Sequence, residues 1–238
     1  MARPCGRSYS SGVGIKLMEQ AFWHQCWQLQ QLGFQLAEPH PLLQAHLAEV
    51  LASKAGALNS IVLPLCGKSP DLMFCRQFLP VTGFELSPIA CHDFFSEQGL
   101  GVTVDRSPAA APDFVHYQST DIELWQGDFF QVPAALIQRS ALLYDRAALI
   151  ALPAPMRRAY ADKLKQWLAL GASLLLISLE YPEAERQGPP FAVLPDELAQ
   201  LFSGYQLTLL QSQDITGQGF GRRRLATSQL WEKIWLIE

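Results

Sequence analysis

The chain has 238 residues, 49 % apolar and 17 % charged, with a net charge of −4 and a pI near 5.7. That length holds one large α/β domain or two small ones, and the apolar share suits a globule with a large core. The acidic balance excludes the basic footprint of a nucleic-acid binder, and no apolar run, Leu174-Leu175-Leu176-Ile177 included, is long enough to cross a bilayer.

Cys5, Cys26, Cys66, Cys75 and Cys91 are odd in number, irregularly spaced and without a C-x-x-C pair. Reduced thiols in a cytoplasmic protein are expected, with no disulfide framework and no metal site. The histidines are scattered and none stands at a useful spacing from a cysteine.

Residues 1–17 are Gly-, Ser- and Arg-rich, aperiodic, and lack the apolar centre of a secretory signal. They read as a disordered tail, a tag or an over-extended start, with one domain expected over 18–238. Trp23 and Trp27 follow, four residues apart and so on one helix face, serving either as core or as an aromatic lid over a ligand. Gly33-Phe34 and two prolines precede a helix expected over 42–52.

The organising stretch comes next. Ile61-Val62-Leu63 is a short β-branched run of the kind buried on both faces of a parallel sheet. Pro64 ends it, and Pro64-Leu65-Cys66-Gly67-Lys68-Ser69 forms a turn. Ser69 and Pro70 suit the N-cap and first position of a helix. A second strand, Val81 to Ser87, carries Glu85 near its end, 18 residues past Gly67, close to the roughly 20-residue spacing at which a carboxylate meets ribose hydroxyls in βαβ nucleotide sites. No G-x-G-x-x-G is present. The turn is not a P-loop either, because Val62 stands where that motif needs its first glycine. Cys66 reads as a small apolar filler beside the ligand.

A helix is expected over 88–100, then an insertion or hairpin over 101–113, then short strands at 115–117 and 122–126 that are placed to pair with each other. Asp128 either accepts from an adenine amine or caps a helix near 133–138. Ser140 to Arg146 reads as a strand whose charged end lies where open α/β sheets bind ligands. Arg146 serves the site there or pairs with a neighbouring carboxylate. A helix over 155–170, a buried strand over 172–180, a Pro/Gly loop over 181–190 and a helix over 196–202 follow. Residues 205–211 and 231–237 read as a closing antiparallel pair. Arg222-Arg223-Arg224 lies between them, either solvated or reaching the site mouth.

These stretches resemble the thiopurine S-methyltransferase family, closest to its bacterial members, over residues 19–237. The likeness is carried by Phe22-Trp23-His24-Gln25-Cys26-Trp27, Pro64-Leu65-Cys66-Gly67-Lys68-Ser69, Phe84-Glu85-Leu86-Ser87, Gly127-Asp128-Phe129-Phe130, Tyr144-Asp145-Arg146 and Gly188-Pro189-Pro190-Phe191. It implies a Rossmann-like class I methyltransferase: a seven-stranded, mostly parallel sheet with a C-terminal antiparallel pair and helices on both faces. It implies S-adenosylmethionine (SAM) as cofactor, held by Trp27, Leu65, Glu85, Asp128, Phe129 and Arg146. Arg146 would also position the methyl end, and Trp23, Phe34 and Arg222 would meet the acceptor. That acceptor would be an aromatic or heterocyclic thiol such as a thiopurine, or a selenium or tellurium compound, attacked in line by a monomeric enzyme. The chain departs from the family at Gln35, where many members have His, and residues 1–17 have no counterpart. A nicotinamide-dependent oxidoreductase and a non-catalytic SAM-binding regulator are the alternatives.

Overall fold

The computed structural model describes residues 12–54, 56–137, 140–220 and 223–238. In chain order the elements are α1 (Gly12–Gln28), α2 (Pro41–Ser53), β1 (Ser60–Leu63), α3 (Asp71–Cys75), β2 (Val81–Glu85), α4 (Pro88–Glu97), β3 (Thr103–Asp105), β4 (Val115–Ser119) and β5 (Ile122–Gln126). Then come β6 (Ala141–Asp145), α5 (Ala154–Leu168), β7 (Ser173–Glu180), α6 (Pro195–Leu201), β8 (Leu207–Asp214), β9 (Gly219–Phe220), β10 (Arg223–Arg224) and β11 (Trp231–Ile237).

One sheet organises the chain in the order β3-β4-β5-β2-β1-β6-β7-β11-β8. The five strands from β5 to β7 run parallel. β11 pairs antiparallel with β7 and with β8, closing that side. The expected seven strands are all present, but the sheet has nine. The extra two are β3, inside the segment expected as an insertion or hairpin, and β4, the strand expected at 115–117; β4 pairs antiparallel with β5, and β3 pairs antiparallel with β4 to extend that side.

The sheet is two-faced because strand side chains alternate. Val62, Leu143, Leu174 and Leu176 enter one core with α5 and α6. Ile61, Leu63, Leu142, Leu175 and Ile177 enter the other with α2, α3 and α4. On α5, Tyr160, Leu164 and Trp167 recur at helical spacing and are fully buried.

Helix starts follow local chemistry. At α4, Ser87 Oγ accepts from Ala90 N at 3.4 Å and Pro88 occupies the first turn. At α3, Ser69 Oγ accepts from Asp71 N at 3.2 Å, and the helix begins one residue later than the capping pattern suggests. α1 begins at Gly12, inside the stretch expected to be a tail. Residues 12–17 contain no proline, and extending an existing helix costs far less than nucleating one. Residues 1–11 lie outside the described residues.

The strand order reverses beside β1: the chain leaves β1 for β2 on one side and returns to β6 on the other. In such sheets the crevice at the carboxyl ends of the strands is the ligand site.

Candidate active site

At that crevice lies a cleft of about 920 Å³, its open mouth included. Leu65, Glu85, Asp128, Phe129 and Arg146 line it from the sheet, and Trp23, Trp27 and Phe34 line it from the N-terminal segment. Eight of the residues anticipated from the sequence therefore meet in one place. The ninth, Arg222, lies outside the described residues.

Glu85 ends β2 and is 6 % exposed. Its Oε2 accepts the Gly67 N–H at 2.8 Å, and its Oε1 accepts the Ser87 N–H at 2.6 Å. Burial pushes its carboxyl up to about 7, against the pull of those N–H donors. Each oxygen keeps a second lone pair for another donor.

Gly67 is required twice over. Its φ is +55°, a conformation that side chains disfavour, and a Cβ there would come within 3.2 Å of the Trp27 ring. Leu65 (φ 49°) and Ala147 (φ 63°), both lining the cleft, adopt the left-handed region without being glycine. Each such residue costs about 1–2 kcal/mol, and strain of this kind concentrates at binding sites. The backbone bond from Cys66 N to Phe84 O at 2.9 Å helps hold the first of these turns.

At the end of β6 two adjacent residues diverge. Arg146 lines the cleft. Asp145, expected to share the ligand end, is fully buried and does not line it. Asp145 accepts from Tyr160 Oη at 2.8 Å and from the Ala148 and Leu149 N–H groups at 3.3 and 3.2 Å. Its carboxyl is raised to about 6 by burial, and it organises the turn that follows Arg146.

Asp128 caps the single turn Phe129–Gln131, its Oδ1 accepting from Phe130 N at 3.0 Å. The short helix expected near 133–138 is a separate single turn, Ala134–Leu136, and Asp128 caps the turn before it. Phe129 reaches the cleft while its ring stacks parallel to Trp167, with centroids 5.9 Å apart, inside the core. Cys66 is buried beside Gly83, where a Cβ would lie 2.8 Å from its sulfur, and burial pushes its thiol up. It is a filler and not a thiolate nucleophile.

The opposite wall is aromatic. Phe34 meets Trp23 and Trp27 edge to face, with centroids at 5.6 and 5.8 Å. Beyond that wall lies a second hollow of about 490 Å³, bounded by Phe22, Cys26, Ile150, Pro189, Pro190 and Leu225 and sharing Trp23, Phe34, Ala147 and Ala151 with the first. Arg157 braces the loop beside it, donating from Nε to Leu152 O at 2.9 Å and from a terminal nitrogen to Ala192 O at 3.1 Å. Gln35, Ser69 and Met156 also line the main cleft and were not anticipated. Ser69 was legible only as a helix cap, and Gln35 only as a departure from the family. Among the described residues no group of three or more His, Cys, Asp or Glu could hold a metal, and no helix is long and apolar enough to cross a membrane.

Comparison with known proteins agrees with this geometry. The sequence profile of the thiopurine S-methyltransferase family matches residues 18–238. A thiopurine S-methyltransferase from Pseudomonas fluorescens strain SBW25 is 41 % identical over 223 residues, covering 92 % of this chain and 99 % of that protein. One from Vibrio parahaemolyticus is 37 % identical, covering 93 % and 99 %. Among solved structures, a SAM-dependent methyltransferase from Anabaena variabilis shares the fold with a TM-score of 0.60 at 14 % identity, covering 91 % of this chain and 93 % of that one. The match to the family profile and the identity to these full-length relatives, together with the cleft described above, place the chain in the thiopurine S-methyltransferase family of SAM-dependent methyltransferases.

Proposed function

We propose that the cleft holds SAM with its ribose on Glu85, its adenine beside Asp128 and Phe129, and its methionyl end toward Arg146, and that the enzyme methylates the sulfur of an aromatic or heterocyclic thiol. Thiopurines are the expected test acceptors, and selenium or tellurium compounds extend the same chemistry to other soft nucleophiles. The enzyme acts on small molecules, as a cytoplasmic monomer. The observation that carries this reading is Glu85: a buried carboxylate at the carboxyl edge of a parallel sheet, anchored by two backbone N–H groups and lining the cleft.

The residues suit the cofactor. Vicinal hydroxyls need a paired acceptor, which Glu85 supplies. The Gly67 turn lets the backbone approach closely, since a side chain there would fill the space against Trp27. The aromatic wall of Trp23, Trp27 and Phe34 favours a cation by the negative faces of its rings. Bound SAM supplies a sulfonium methyl that a soft nucleophile can displace.

The chain's own part is placement. Trp23 and Phe34 present flat apolar surfaces to an aromatic acceptor and exclude water from it. Arg146 favours the anionic, thiolate form of that acceptor by charge. Aromatic thiols ionise readily, so no side-chain base is needed. Alignment of this kind can lower a barrier by roughly 7–11 kcal/mol. Family membership favours neither alternative drawn from the sequence, the nicotinamide enzyme or the silent SAM binder.

A methyl-transfer assay with SAM across a thiopurine, selenite and tellurite tests the proposal. Transfer to the thiopurine supports it. Binding of SAM with no transfer to any acceptor would leave a binding protein instead.

A further inference from the structure

The Gly67–Lys68 turn is gripped from two directions. Glu85, at the end of β2, takes the Gly67 N–H. Gln35, just past Phe34 in the N-terminal segment, donates from Nε2 to the Lys68 carbonyl oxygen at 2.8 Å. Gln35 is only 8 % exposed and lines the cleft. Lys68 is itself fastened, its Nζ lying 2.5 Å from Glu97 and 3.4 Å from Asp93 on α4. The carbonyl that receives Gln35 therefore belongs to a residue anchored elsewhere.

Gln35 is thereby placed to fix the aromatic wall. The preceding ring, Phe34, packs edge-on against both Trp23 and Trp27. Trp27 lies over Gly67, where a Cβ would meet its ring at 3.2 Å. The wall therefore closes over the turn at Gly67, where an added Cβ would meet both the Trp27 and the Phe34 rings, and is tied to it by the hydrogen bond at Lys68. An amide donates at every pH near neutrality, so this tie does not titrate.

We propose that Gln35 is a positioning residue for the transfer: its bond to the Lys68 carbonyl seats Phe34 and Trp23 over the cleft and so sets how the acceptor approaches. This rests on the methyltransferase reading of the cleft. The amide itself is not asked to touch the reacting atoms.

Gln35→Glu keeps the size and shape but turns an acceptor toward the Lys68 carbonyl. Gln35→Leu keeps the bulk without any donor. Steady-state kinetics with an aromatic thiol, calorimetric titration of S-adenosylhomocysteine and the melting temperature are measured on both variants and on wild type. The acceptor KM is expected to rise about fivefold, the scale of one net hydrogen bond, with a smaller change in S-adenosylhomocysteine affinity. A wild-type acceptor KM in either folded variant overturns the proposal, because a merely structural Gln35 would move the melting temperature alone. Failure of both variants to fold overturns it too, since the bond would then be structural. If wild type itself neither binds S-adenosylhomocysteine nor methylates a thiol, the reading of the cleft fails first. An active wild type with unaffected variants removes only Gln35.

Discussion

The Gly67 N–H donates to Glu85 Oε2 at 2.8 Å across 18 residues of sequence. With the Ser87 bond at 2.6 Å, one carboxylate fastens the turn after β1 to the start of α4. The turn after β1 and the start of α4 are thus held together by the residue that would grip the cofactor's sugar.

Glu85 makes this arrangement pH-dependent. Its carboxyl rises from 4.5 to about 7 on folding. The folded chain therefore holds a proton in that window that the unfolded chain has released, so stability falls as pH rises from about 4.5 to about 7. The full effect is about 3 kcal/mol at 1.36 kcal/mol per pH unit. Asp145 acts in the same direction, from 3.8 to about 6, but is common to wild type and variant. Urea melts of wild type and Glu85→Gln from pH 4 to 8 should show wild type losing stability relative to the variant across that range. A constant difference would contradict the assignment.

Gly67→Ala should weaken S-adenosylhomocysteine binding more than it lowers the melting temperature. The substitution forces a side chain into φ +55° and brings its Cβ against Trp27. Left-handed strain alone costs about 1 kcal/mol, and displacement of the ring adds to the loss at the cleft. Calorimetry is expected to show about a tenfold weaker Kd, the equivalent of 1.4 kcal/mol.

Arg146→Ala separates placement of the acceptor from binding of the cofactor. Arg146 lines the cleft beside the strained Ala147, at the end of β6. Its loss should lower kcat more than it weakens SAM binding. Wild-type turnover in steady-state kinetics would remove it from the reaction.

Truncation to begin at Met18 should leave activity intact. The family match begins at residue 18, whereas α1 reaches back to Gly12. An inactive truncation would mean that the first turns of α1 support the aromatic wall.

Much of this was legible in the chain because its signals are local. The β-branched Ile61-Val62-Leu63, the Pro64 stop and the carboxylate at Glu85 mark a βαβ unit and its ligand edge without any distant contact. What escaped depends on three dimensions. The left-handed Leu65 and Ala147 carry no residue-type signal, since side chains rarely adopt that region. Asp145 and Arg146 are neighbours in sequence, yet one serves the core and the other the cleft; the Tyr160 hydroxyl and the Ala148 and Leu149 N–H groups that hold Asp145 tell them apart. Gln35 read as the loss of a histidine, whereas its amide finds a carbonyl 33 residues away. The antiparallel addition of β3 and β4 was open to two readings because its strands are short and the first is exposed, which weakens the periodic signal.

The most direct test of the central claim is calorimetric titration of S-adenosylhomocysteine into wild type and Glu85→Ala at pH 8, where the carboxylate is ionised. The expected result is a loss of affinity of about tenfold or more in the variant, since a hydrogen bond to a charged group is worth about 1.5–3 kcal/mol. Equal affinity in a folded Glu85→Ala protein would contradict a cleft in which this carboxylate holds the cofactor's ribose.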